Sequence, residues 1–452
     1  MNSELGFHYI DGELCCDGVS VAGIAERVGT PCYVYSADLL RARYGRIRDA
    51  FAQWNALVCF SVKSLGNLSV LRLLADCGSG FDVVSGGELH RVLSAGGSPS
   101  KTVYAGVGKT VAEIRYALQS GVRMLNVESP GELRQIEEVA RELGSKASVA
   151  IRVNPDVNPH THEKTTTGTK QNKFGISISG TLELVAQVRG WDHVEIRGIH
   201  MHLGGPIYSP EPYEQALVKI VDLVGALRSR GCAIDAANMG GGYPISYTGE
   251  EVPGPEEYAS AVERFLEKLK CEVIIEPGRY ISGPSGVLLV RVLYRKESEH
   301  GKKFVVCDGG MSELIRPTLY GAFHRIWPAR SPNGMPEVMR QNDRCYSSFE
   351  TETVDVVGPI CESGDFLAEH RPLPTVGQQD VLAVFDAGAY GFTMSSNYNG
   401  RPRAAEVLVD AGTARVVRRR ETYEDLVAAE RTSLPPAALQ GSASSAKPPG
   451  GQ

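Results

Sequence analysis

The sequence predicts an α/β protein in which a (β/α)8 barrel is followed by a C-terminal β-rich domain. Two observations carry this prediction. From residue 33 to residue 290 short apolar runs alternate with helical patterns, and from residue 291 to residue 431 strand patterns follow one another with polar turns between them. Eight strand candidates that alternate with helices over about 250 residues favour a closed barrel more than an open doubly wound sheet.

The opening segment, residues 1–32, precedes the barrel. The stretch FHYIDGELCCDGVSVAGIAERVGTPCYVYS, which crosses the end of this segment, looks strand-like. We expect this segment to join the C-terminal β domain before the chain enters the barrel.

Each barrel strand is predicted from a short run that is mostly apolar, as a parallel strand buried on both faces should be. In chain order the runs are ALVCFSV (56–62), GFDVVS (80–85), VYAGV (103–107), MLNVES (124–129), SVAIRVN (148–154), EIRGIHMHL (195–203), AANMGGGY (236–243) and CEVIIEPG (271–278). The helical patterns between them include NLSVLRLLADCG, GELHRVLSAGG, PGELRQIEEVARELG, EPYEQALVKIVDLVGALRSRG and PEEYASAVERFLEKLK. Several end in glycine, as the C-termini of helices commonly do.

The β domain is predicted from a change of pattern after the barrel. Its strand candidates are GVLLVRVLYRKES, KKFVVCDGG, YSSFETETVDVVGPICES, DVLAVFDAG and RAAEVLVDAGTARVVRR. Residues 432–452 are rich in Pro, Gly, Ser and Ala and poor in large apolar side chains. Such a segment buries too little surface to offset its ordering entropy, so we expect a disordered tail without a catalytic role.

Composition excludes several classes of function. The chain has 452 residues, 42% of them hydrophobic, and a formal net charge of -6. Without a basic surplus, nucleic acid is not an expected partner. No apolar run is long enough for a membrane span and the first residues lack the pattern of an export signal, so we expect a cytoplasmic protein. The 10 cysteines show no C-x-x-C spacing, which argues against a disulfide framework or a structural zinc site.

Polar residues just after barrel strands are the candidates for chemistry, because barrel active sites lie at the C-terminal ends of the strands. Lys63 ends the first run; it is either a solvated strand end or an amine able to form a Schiff base. His200 and His202 fall on one face of their strand, as core residues, as metal ligands, or beside a cofactor.

Three further groups of residues add to this set. The triplet Gly240 to Gly242 follows a strand and offers backbone amides to an anion such as phosphate. Glu276 and Arg279, in EPGR, end the last barrel strand, where they form either a salt bridge or part of a site. In the β domain, Cys361 opens CESGD, and isolated it reads as a structural cysteine.

Together these residues match the needs of pyridoxal phosphate. The cofactor aldehyde needs a lysine, its ring nitrogen an acid, its phosphate backbone amides, and its ring face a flat group. The residues that fill these roles, in that order, are Lys63, Glu276, Gly240 with Gly241 and Gly242, and His202.

Blocks of sequence spread over roughly residues 5 to 425 also carry a family resemblance. They are FSVKSLGNLSVLRLLADCGSGFDVVSGGEL, RVNPDVNPHTHEKTTTGTKQNKFGI, GIHMHLGG, NMGGGY, IIEPGRYI, VCDGGMSELIRPTLYGAFH, VVGPICESGDFLAE and DAGAYGFTMSSNYNGRPRAAEVLV. In this order they resemble the diaminopimelate decarboxylase family, fold-type III pyridoxal-phosphate enzymes. The last two blocks resemble this family more than the related ornithine and arginine decarboxylases.

The resemblance implies a reaction and a role for each matching residue. The reaction is decarboxylation of meso-2,6-diaminopimelate to L-lysine and CO2, the last step of lysine biosynthesis, with pyridoxal 5'-phosphate as cofactor. The implied catalytic residues are Lys63, which holds the cofactor, and Cys361, the proton donor. The implied cofactor contacts are Lys63, Asp82, His202, Gly240, Gly241, Gly242, Glu276, Pro277, Gly278, Arg279 and Tyr390, with Ser85 as a further neighbour. The implied substrate contacts are Arg279, Arg316, Tyr320, Glu362 and Tyr390.

The resemblance also implies a homodimer with shared active sites. In the family, residues matching Cys361, Glu362 and Tyr390 reach into the barrel of the other subunit. A monomer is therefore expected to be inactive.

Two departures from the family pattern affect the cofactor pocket. His202-Leu203-Gly204-Gly205-Pro206 stands where the family usually has His-Ile-Gly-Ser-Gln, so a serine hydroxyl expected near the phosphate is missing. Ser64-Leu65 replaces the usual Ala-Asn after the lysine. The first change puts cofactor affinity in question, and neither touches the residues implied in the chemistry.

Three other functions stay open on sequence alone. The chain could decarboxylate another diamino acid, of the ornithine, arginine or carboxynorspermidine type. It could be a barrel metallohydrolase using His200 and His202, although Lys63 and CESGD then have no explanation. It could be a non-catalytic pyridoxal-phosphate carrier, although a carrier needs neither Cys361 nor a second domain.

Overall fold

The computed structural model describes residues 5–159, 167–168, 173–339 and 346–431, and the predicted tail at 432–452 lies outside them. The chain opens with a small antiparallel sheet of β1 (Phe7–Ile10), β2 (Glu13–Cys16) and β3 (Val19–Ser20), followed by helix α1 (Val21–Val28) and strand β4 (Cys32–Ser36). The strand-like prediction is wrong for α1. The Ser20 hydroxyl caps this helix by accepting from the Gly23 amide at 3.0 Å, and its apolar residues bury one face.

Eight parallel strands close into a barrel, which confirms the predicted fold class. They are β5 (Leu57–Ser61), β6 (Gly80–Val83), β7 (Thr102–Tyr104), β8 (Met124–Val127), β9 (Ala147–Asn154), β11 (Val194–His200), β12 (Ala236–Asn238) and β13 (Glu272–Ile275), while the short β10 (Ile176–Ser177) extends beside β9. Each coincides with one of the predicted runs. The last strand β13 pairs with the first strand β5, with Ile274 opposite Leu57, and this pairing closes the ring.

Helices surround the barrel and follow its strands. They are α2 (Ala37–Ala50), α3 (Leu68–Asp76), α4 (Gly86–Ser94), α5 (Val111–Ser120), α6 (Pro130–Glu142), α7 (Ile178–Gln187), α8 (Glu211–Ser229), α9 (Pro255–Leu269) and the short α10 (Arg279–Ser282). Side-chain oxygens at the strand-to-helix turns cap several of them; Ser85 and Ser129 begin α4 and α6 in this way. Within the described ranges, no helix is both long and apolar enough to cross a lipid bilayer.

The interior of the barrel is a packed core. Side chains from six different strands meet there in one apolar cluster: Cys59, Val103, Met124, Ala150, Ala236 and Ile274. Because this layer fills the ring, ligands have room only at an end of the barrel, as in other barrels of this type.

The β domain contains β14 (Gly286–Glu297), β15 (Lys303–Cys307), β16 (Ile326–Pro328), β17 (Glu352–Val357), β18 (Phe366–Leu373), β19 (Val381–Val384), β20 (Ala405–Asp410) and β21 (Thr413–Arg418), with the one-turn helices α11 (Arg316–Tyr320) and α12 (Tyr423–Val427). Its main sheet runs β18-β17-β15-β14-β4-β20-β21. Strand β4 therefore lies inside this sheet, and in the segment before it the Leu14 amide donates to the Ala329 carbonyl of the β domain at 2.8 Å. Strand β4 has residues on both sides of the predicted boundary between residues 32 and 33. The exact domain boundaries therefore remain predictions.

Candidate active site

A cavity of about 700 Å³ opens where the C-terminal ends of the barrel strands meet loops of the β domain. Its size is typical of a pocket for a cofactor with a small substrate. Ten of the predicted site residues line it: Lys63, His202, Gly241, Gly242, Glu276, Gly278, Arg279, Arg316, Tyr320 and Tyr390.

Lys63 lies just after β5 and is held by a buried carboxylate. Its Nζ donates to Asp82 Oδ2 at 2.6 Å, and Ser61 Oγ donates to the same oxygen at 2.8 Å. Burial lowers the pKa of Lys63, but the charges of Asp82 and Glu276 outweigh burial and raise this pKa above its ordinary value. Asp82 does not itself line the cavity. Its hydrogen bond with Nζ positions the lysine instead.

Glu276 lies just after β13, on the strand next to β5. Its Oε1 accepts from Asn238 Nδ2 at 2.7 Å, and its Oε2 lies 3.4 Å from His200 Nε2. Burial raises the pKa of Glu276, but the His200 imidazole and the Lys63 ammonium more than offset this and lower it. The site thus holds an ionised carboxylate that can accept a hydrogen bond from a protonated ring nitrogen.

His202 presents a neutral ring to the cavity. Its Nδ1 accepts the Gly241 N–H at 3.2 Å, so that nitrogen carries no proton. Burial, together with the positive charges of Arg152 and Lys63, lowers the pKa of His202 well below its ordinary value. An uncharged imidazole fixed in this way suits stacking on a flat heterocycle.

The two histidines of the strand serve different partners. His200 is buried and contacts Glu276, while His202 faces the cavity beyond the end of β11. Among the described residues, no cluster of three or more His, Cys, Asp or Glu side chains is arranged to hold a metal ion. The geometry therefore offers no support for the metallohydrolase alternative.

The glycine triplet brings backbone close to the ends of the neighbouring strands. A Cβ on Gly241 would lie 2.2 Å from the carbonyl oxygen of Glu276, so only glycine fits there. The Gly240 amide donates to Asn238 Oδ1 at 2.9 Å, and Gly240 does not line the cavity. In the part of the chain that the structure describes, the Gly242, Gly278 and Arg279 amides have no acceptor, and these residues line the cavity.

These amides fit a phosphate group, because three unpaired N–H donors and a nearby guanidinium meet the needs of an anion. With the Lys63 amine, the Glu276 carboxylate and the His202 ring at the same cavity, the donor set fits pyridoxal phosphate. Pro277 is buried between Glu276 and Gly278 and does not line the cavity.

Two guanidinium groups provide sites for carboxylates. Arg279 Nη1 donates to the Tyr247 hydroxyl at 2.6 Å, and the guanidinium carbon lies 4.9 Å from the centre of the Tyr390 ring. The Arg316 guanidinium carbon lies 4.8 Å from the centre of the Tyr247 ring. Both side chains line the cavity and can pair with a carboxylate in two-point geometry.

The expectation that Tyr390 reaches into another subunit's barrel is wrong. Its amide donates to the Ser64 carbonyl at 2.9 Å, and its ring packs on Arg279 of the same chain. The reason is topological, because the loop after β19 leaves the sheet beside the chain's own barrel. Ser85 is engaged elsewhere, since its hydroxyl caps α4 by accepting the Glu88 amide at 3.2 Å.

Cys361 and Glu362 are exposed and do not line the cavity of their own chain. The amide and the sulfur of Cys361 both lie 3.1 Å from Asn399 Oδ1. The buried Asp365 fixes this loop by accepting the Met311 amide at 2.6 Å and the Ile360 amide at 2.5 Å. Asp365 thus holds the loop in place, while the side chains of Cys361 and Glu362 face outward.

The departures from the family pattern have clear structural settings. Ser64 is buried, and its Oγ donates to the Ser61 carbonyl at 2.7 Å, so it supports the turn that carries Lys63. Gly205 and Pro206 line the cavity, and a Cβ on Gly205 would lie 3.0 Å from the Cα of Gly242. The loop at Gly205 therefore packs tightly against the glycine turn.

Comparison with known proteins identifies the family. The model for "Pyridoxal-dependent decarboxylase, pyridoxal binding domain" matches residues 37–283. The diaminopimelate decarboxylase of Pseudomonas aeruginosa is 46% identical over 94% of this chain and 98% of its own. This chain belongs to the pyridoxal-dependent decarboxylases, in the diaminopimelate decarboxylase family. The predicted family, enzyme class and cofactor are therefore confirmed.

Solved structures of the family match over nearly the whole chain. Diaminopimelate decarboxylase from Helicobacter pylori, complexed with L-lysine, is 36% identical with a TM-score of 0.84 and covers 91% of this chain and 99% of its own. The enzyme from M. jannaschii, also with L-lysine, is 35% identical with a TM-score of 0.87 and covers 97% of this chain and 100% of its own.

Sequence reasoning missed several residues that build the site. Asn238 contacts both Glu276 and Gly240, Ser61 contacts Asp82, and Tyr247 contacts Arg279. Asn238 lies inside a predicted run, and only the observed end of β12 at this residue places its side chain against Glu276. Tyr247 lies in an irregular loop, and its role depends on contacts that the sequence pattern does not indicate.

Proposed function

We propose that this protein decarboxylates meso-2,6-diaminopimelate to L-lysine and CO2 with pyridoxal 5'-phosphate. The observation that carries the proposal is the single cavity shared by Lys63, Glu276 and the two arginines Arg279 and Arg316. The two similar structures solved with L-lysine support the identity of the product.

Each part of the cofactor has a suitable group at the cavity. Lys63 would bind the aldehyde, Glu276 the ring nitrogen, and His202 one face of the ring. The amides of Gly242, Gly278 and Arg279 would hold the phosphate. When bound, pyridoxal phosphate supplies an electron sink for the electron pair left by departing CO2.

The chain's own residues hold charges and protons around that chemistry. Asn238 donates to the Glu276 carboxylate and His200 lies beside it, and this carboxylate would hold a proton on the ring nitrogen of the bound cofactor. Asp82 would orient the Lys63 amine, to which it is hydrogen-bonded. Arg279 and Arg316 bind carboxylates, and the planar fork of each guanidinium fixes the direction of the substrate.

The proposed proton donor, and the residue proposed to bind the distal ammonium of the substrate, would act in a homodimer. Each active site would then combine residues of both subunits. Cys361 would deliver a proton to the reacting carbon, and Glu362 would bind the distal ammonium, each from the other subunit. Two features support this: both side chains are exposed, and both lie outside the cavity of their own chain. Location in the cytoplasm stays a prediction.

Selectivity would depend on the far end of the substrate. Diaminopimelate carries a second carboxylate and a second ammonium, and groups built to pair with them reject substrates that lack them. Each unpaired polar group costs on the order of 1 to 3 kcal/mol. Ornithine, arginine and carboxynorspermidine are the substrates to compare.

The test is an absorbance spectrum of the purified protein followed by assay of CO2 and lysine from meso-diaminopimelate. We expect a yellow protein that releases both products. Lys63→Ala should lose the visible absorbance and the activity, whereas Lys101→Ala, at an exposed lysine far from the cavity, should keep both. A yellow protein that leaves diaminopimelate untouched but decarboxylates a related diamino acid would overturn the proposed substrate.

A further inference from the structure

A buried histidine lies directly behind Arg316. His324 has no exposed surface, and its Nε2 lies 2.9 Å from Arg316 Nη1. Its other ring nitrogen, Nδ1, lies 2.9 Å from the carbonyl oxygen of Phe385. The proposed chemistry does not use this residue.

The two partners of His324 fix its tautomer. A carbonyl oxygen only accepts hydrogen bonds, so Nδ1 must carry the proton. A guanidinium only donates them, so Nε2 must be unprotonated. Burial and the positive charges of Arg316 and Arg371 lower the pKa of His324 well below its ordinary value, in agreement with a neutral ring.

The ring is itself held from several sides. The Phe385 carbonyl follows β19, and the backbone carbonyl of His324 accepts from Arg371 Nη1 of β18 at 2.6 Å. The Tyr247 ring packs edge-on at 5.2 Å between ring centres. Three separate parts of the fold therefore restrict the position of Nε2.

Arg316 has an unusual setting for a buried cation. Its residue surface is only 6% exposed, and among the described side chains its guanidinium meets the His324 imidazole rather than a carboxylate. A carboxylate in the place of His324 would orient the guanidinium but would also neutralise much of its charge. A neutral imidazole acceptor orients it and leaves the full charge for an anion in the cavity.

We propose that His324 is a positioning residue that aims Arg316 at a substrate carboxylate without neutralising it. This inference rests on the proposed function, because the carboxylate in question is the one that diaminopimelate keeps in its lysine product. His324 is not a catalytic residue, since it touches Arg316 and not the cavity.

The test compares two ligands that differ in this carboxylate. Affinities of the cofactor-loaded protein for L-lysine and for cadaverine, which has no carboxylate, are measured by titration calorimetry. In His324→Leu we expect roughly a tenfold or greater loss of L-lysine affinity, in line with the loss of a hydrogen bond to a charged group. Cadaverine affinity should change by less than about twofold, because it makes no ion pair with Arg316.

Two further variants separate positioning from packing. His324→Gln keeps an acceptor oxygen for Arg316 and should restore most of the L-lysine affinity. His193→Gln changes another histidine that contacts a backbone carbonyl, Ser145 at 3.0 Å, away from the cavity, and should change neither affinity. If His324→Leu does not fold, the comparison of His324→Gln with His324→Asn, which lacks the reach to Arg316, gives the same contrast.

A double-mutant cycle completes the test. In an Arg316→Leu background, His324→Leu should cause no further loss of L-lysine affinity, because the group it positions is gone. Equal weakening of L-lysine and cadaverine, or unchanged L-lysine affinity in His324→Leu, would overturn the inference. A parent protein that binds neither L-lysine nor diaminopimelate would instead overturn the proposed function, so the two failures are distinguishable.

Discussion

Glu276 shows how single residues determine the chemistry of this cavity. It is almost fully buried, yet its carboxylate stays ionised because Asn238, His200 and Lys63 surround it. A neutral amide of the same shape keeps these neighbours in place but cannot hold a proton on a ring nitrogen.

We therefore predict that Glu276→Gln keeps the bound cofactor but lowers kcat by roughly 100-fold, the scale of a lost acid-base group. KM should change little, because the carboxylate-binding arginines are untouched. Glu272→Gln, at the opposite end of the same strand and paired with Arg123, is the control and should retain parent activity. Steady-state kinetics with matched cofactor loading test this prediction. An unchanged kcat in Glu276→Gln would show that the Glu276 carboxylate is not needed to hold a proton on the ring nitrogen.

Residues of the site differ in how far the sequence predicts them. Lys63 and Glu276 are predictable, because each lies at the C-terminal end of an apolar run, where the active sites of barrels are found. Asn238 and His324 are not, because each acquires its role from a partner that tertiary folding brings to it: Glu276 and Arg316 respectively.

Among the structural elements, the loop that carries Cys361 depends most on one side chain. Asp365 accepts two backbone amides, one from its own loop and one from the loop after β15. A Cβ on Gly358 would lie 2.5 Å from either carboxylate oxygen, so the loop backbone closes tightly around this group.

We predict that Asp365→Ala lowers stability by about 1 to 3 kcal/mol, because it leaves the buried Ile360 amide and the partly buried Met311 amide without an acceptor. Turnover should fall further than stability explains, since Cys361 loses its position, while the visible absorbance of the cofactor stays. Asp380→Ala is the matched control, because Asp380 also accepts a backbone amide, Gly377 at 2.7 Å, but in an exposed turn. Turnover equal to that of the parent in Asp365→Ala would show that the position of Cys361 does not depend on Asp365.

Helix α4 contains a group that titrates near neutral pH. Glu88, in its first turn, accepts the Val84 amide at 2.8 Å, and burial raises the pKa of Glu88 to about 7. The folded protein therefore keeps a proton that the unfolded chain, with an ordinary value of 4.5, releases. The stabilisation from this group is complete below pH 4.5 and is lost as the pH rises through 7.

We predict that Glu88→Gln removes this part of the pH dependence, because the amide oxygen still accepts from Val84 and carries no charge. Between pH 5 and pH 8 the free energy of unfolding of the parent should fall, relative to the variant, by on the order of 2 kcal/mol. Urea titrations of both proteins across this range measure the difference. Parallel pH profiles would mean that Glu88 does not titrate in this range.

Element prediction succeeds where periodicity is strong. All eight barrel strands follow from apolar runs, because parallel strands buried on both faces leave a clear signal. Helix α1 escapes the prediction because it is only eight residues long and lies among strand-like residues, so its helical spacing covers little more than two turns.

At the scale of the whole molecule, the proposed shared site predicts complementation between inactive variants. Lys63→Ala lacks the cofactor lysine and Cys361→Ala lacks the proposed proton donor. In a hybrid dimer one site contains both intact groups and the other contains neither. Random exchange makes about half of the dimers hybrids, and each hybrid has one intact site of two. About a quarter of parent activity should therefore be restored in this two-fold symmetric pair.

The measurement is activity after mixing, with differently tagged chains to prove that hybrids form. Mixing either variant with itself is the control and should give no recovery. Proven exchange without recovered activity would contradict a site that combines Lys63 of one chain with Cys361 of the other.

The placement of β4 has a consequence for synthesis of the chain. This strand, buried throughout, pairs with β14 and β20, and the first of these begins roughly 250 residues later. At the usual 5 to 20 residues per second, a ribosome exposes β4 on the order of 10 to 50 s before either partner exists. The barrel can close during that interval, since β13 precedes β14. An apolar strand with open edges thus waits beside a finished barrel, which makes it the natural point of contact for chaperones on the nascent chain.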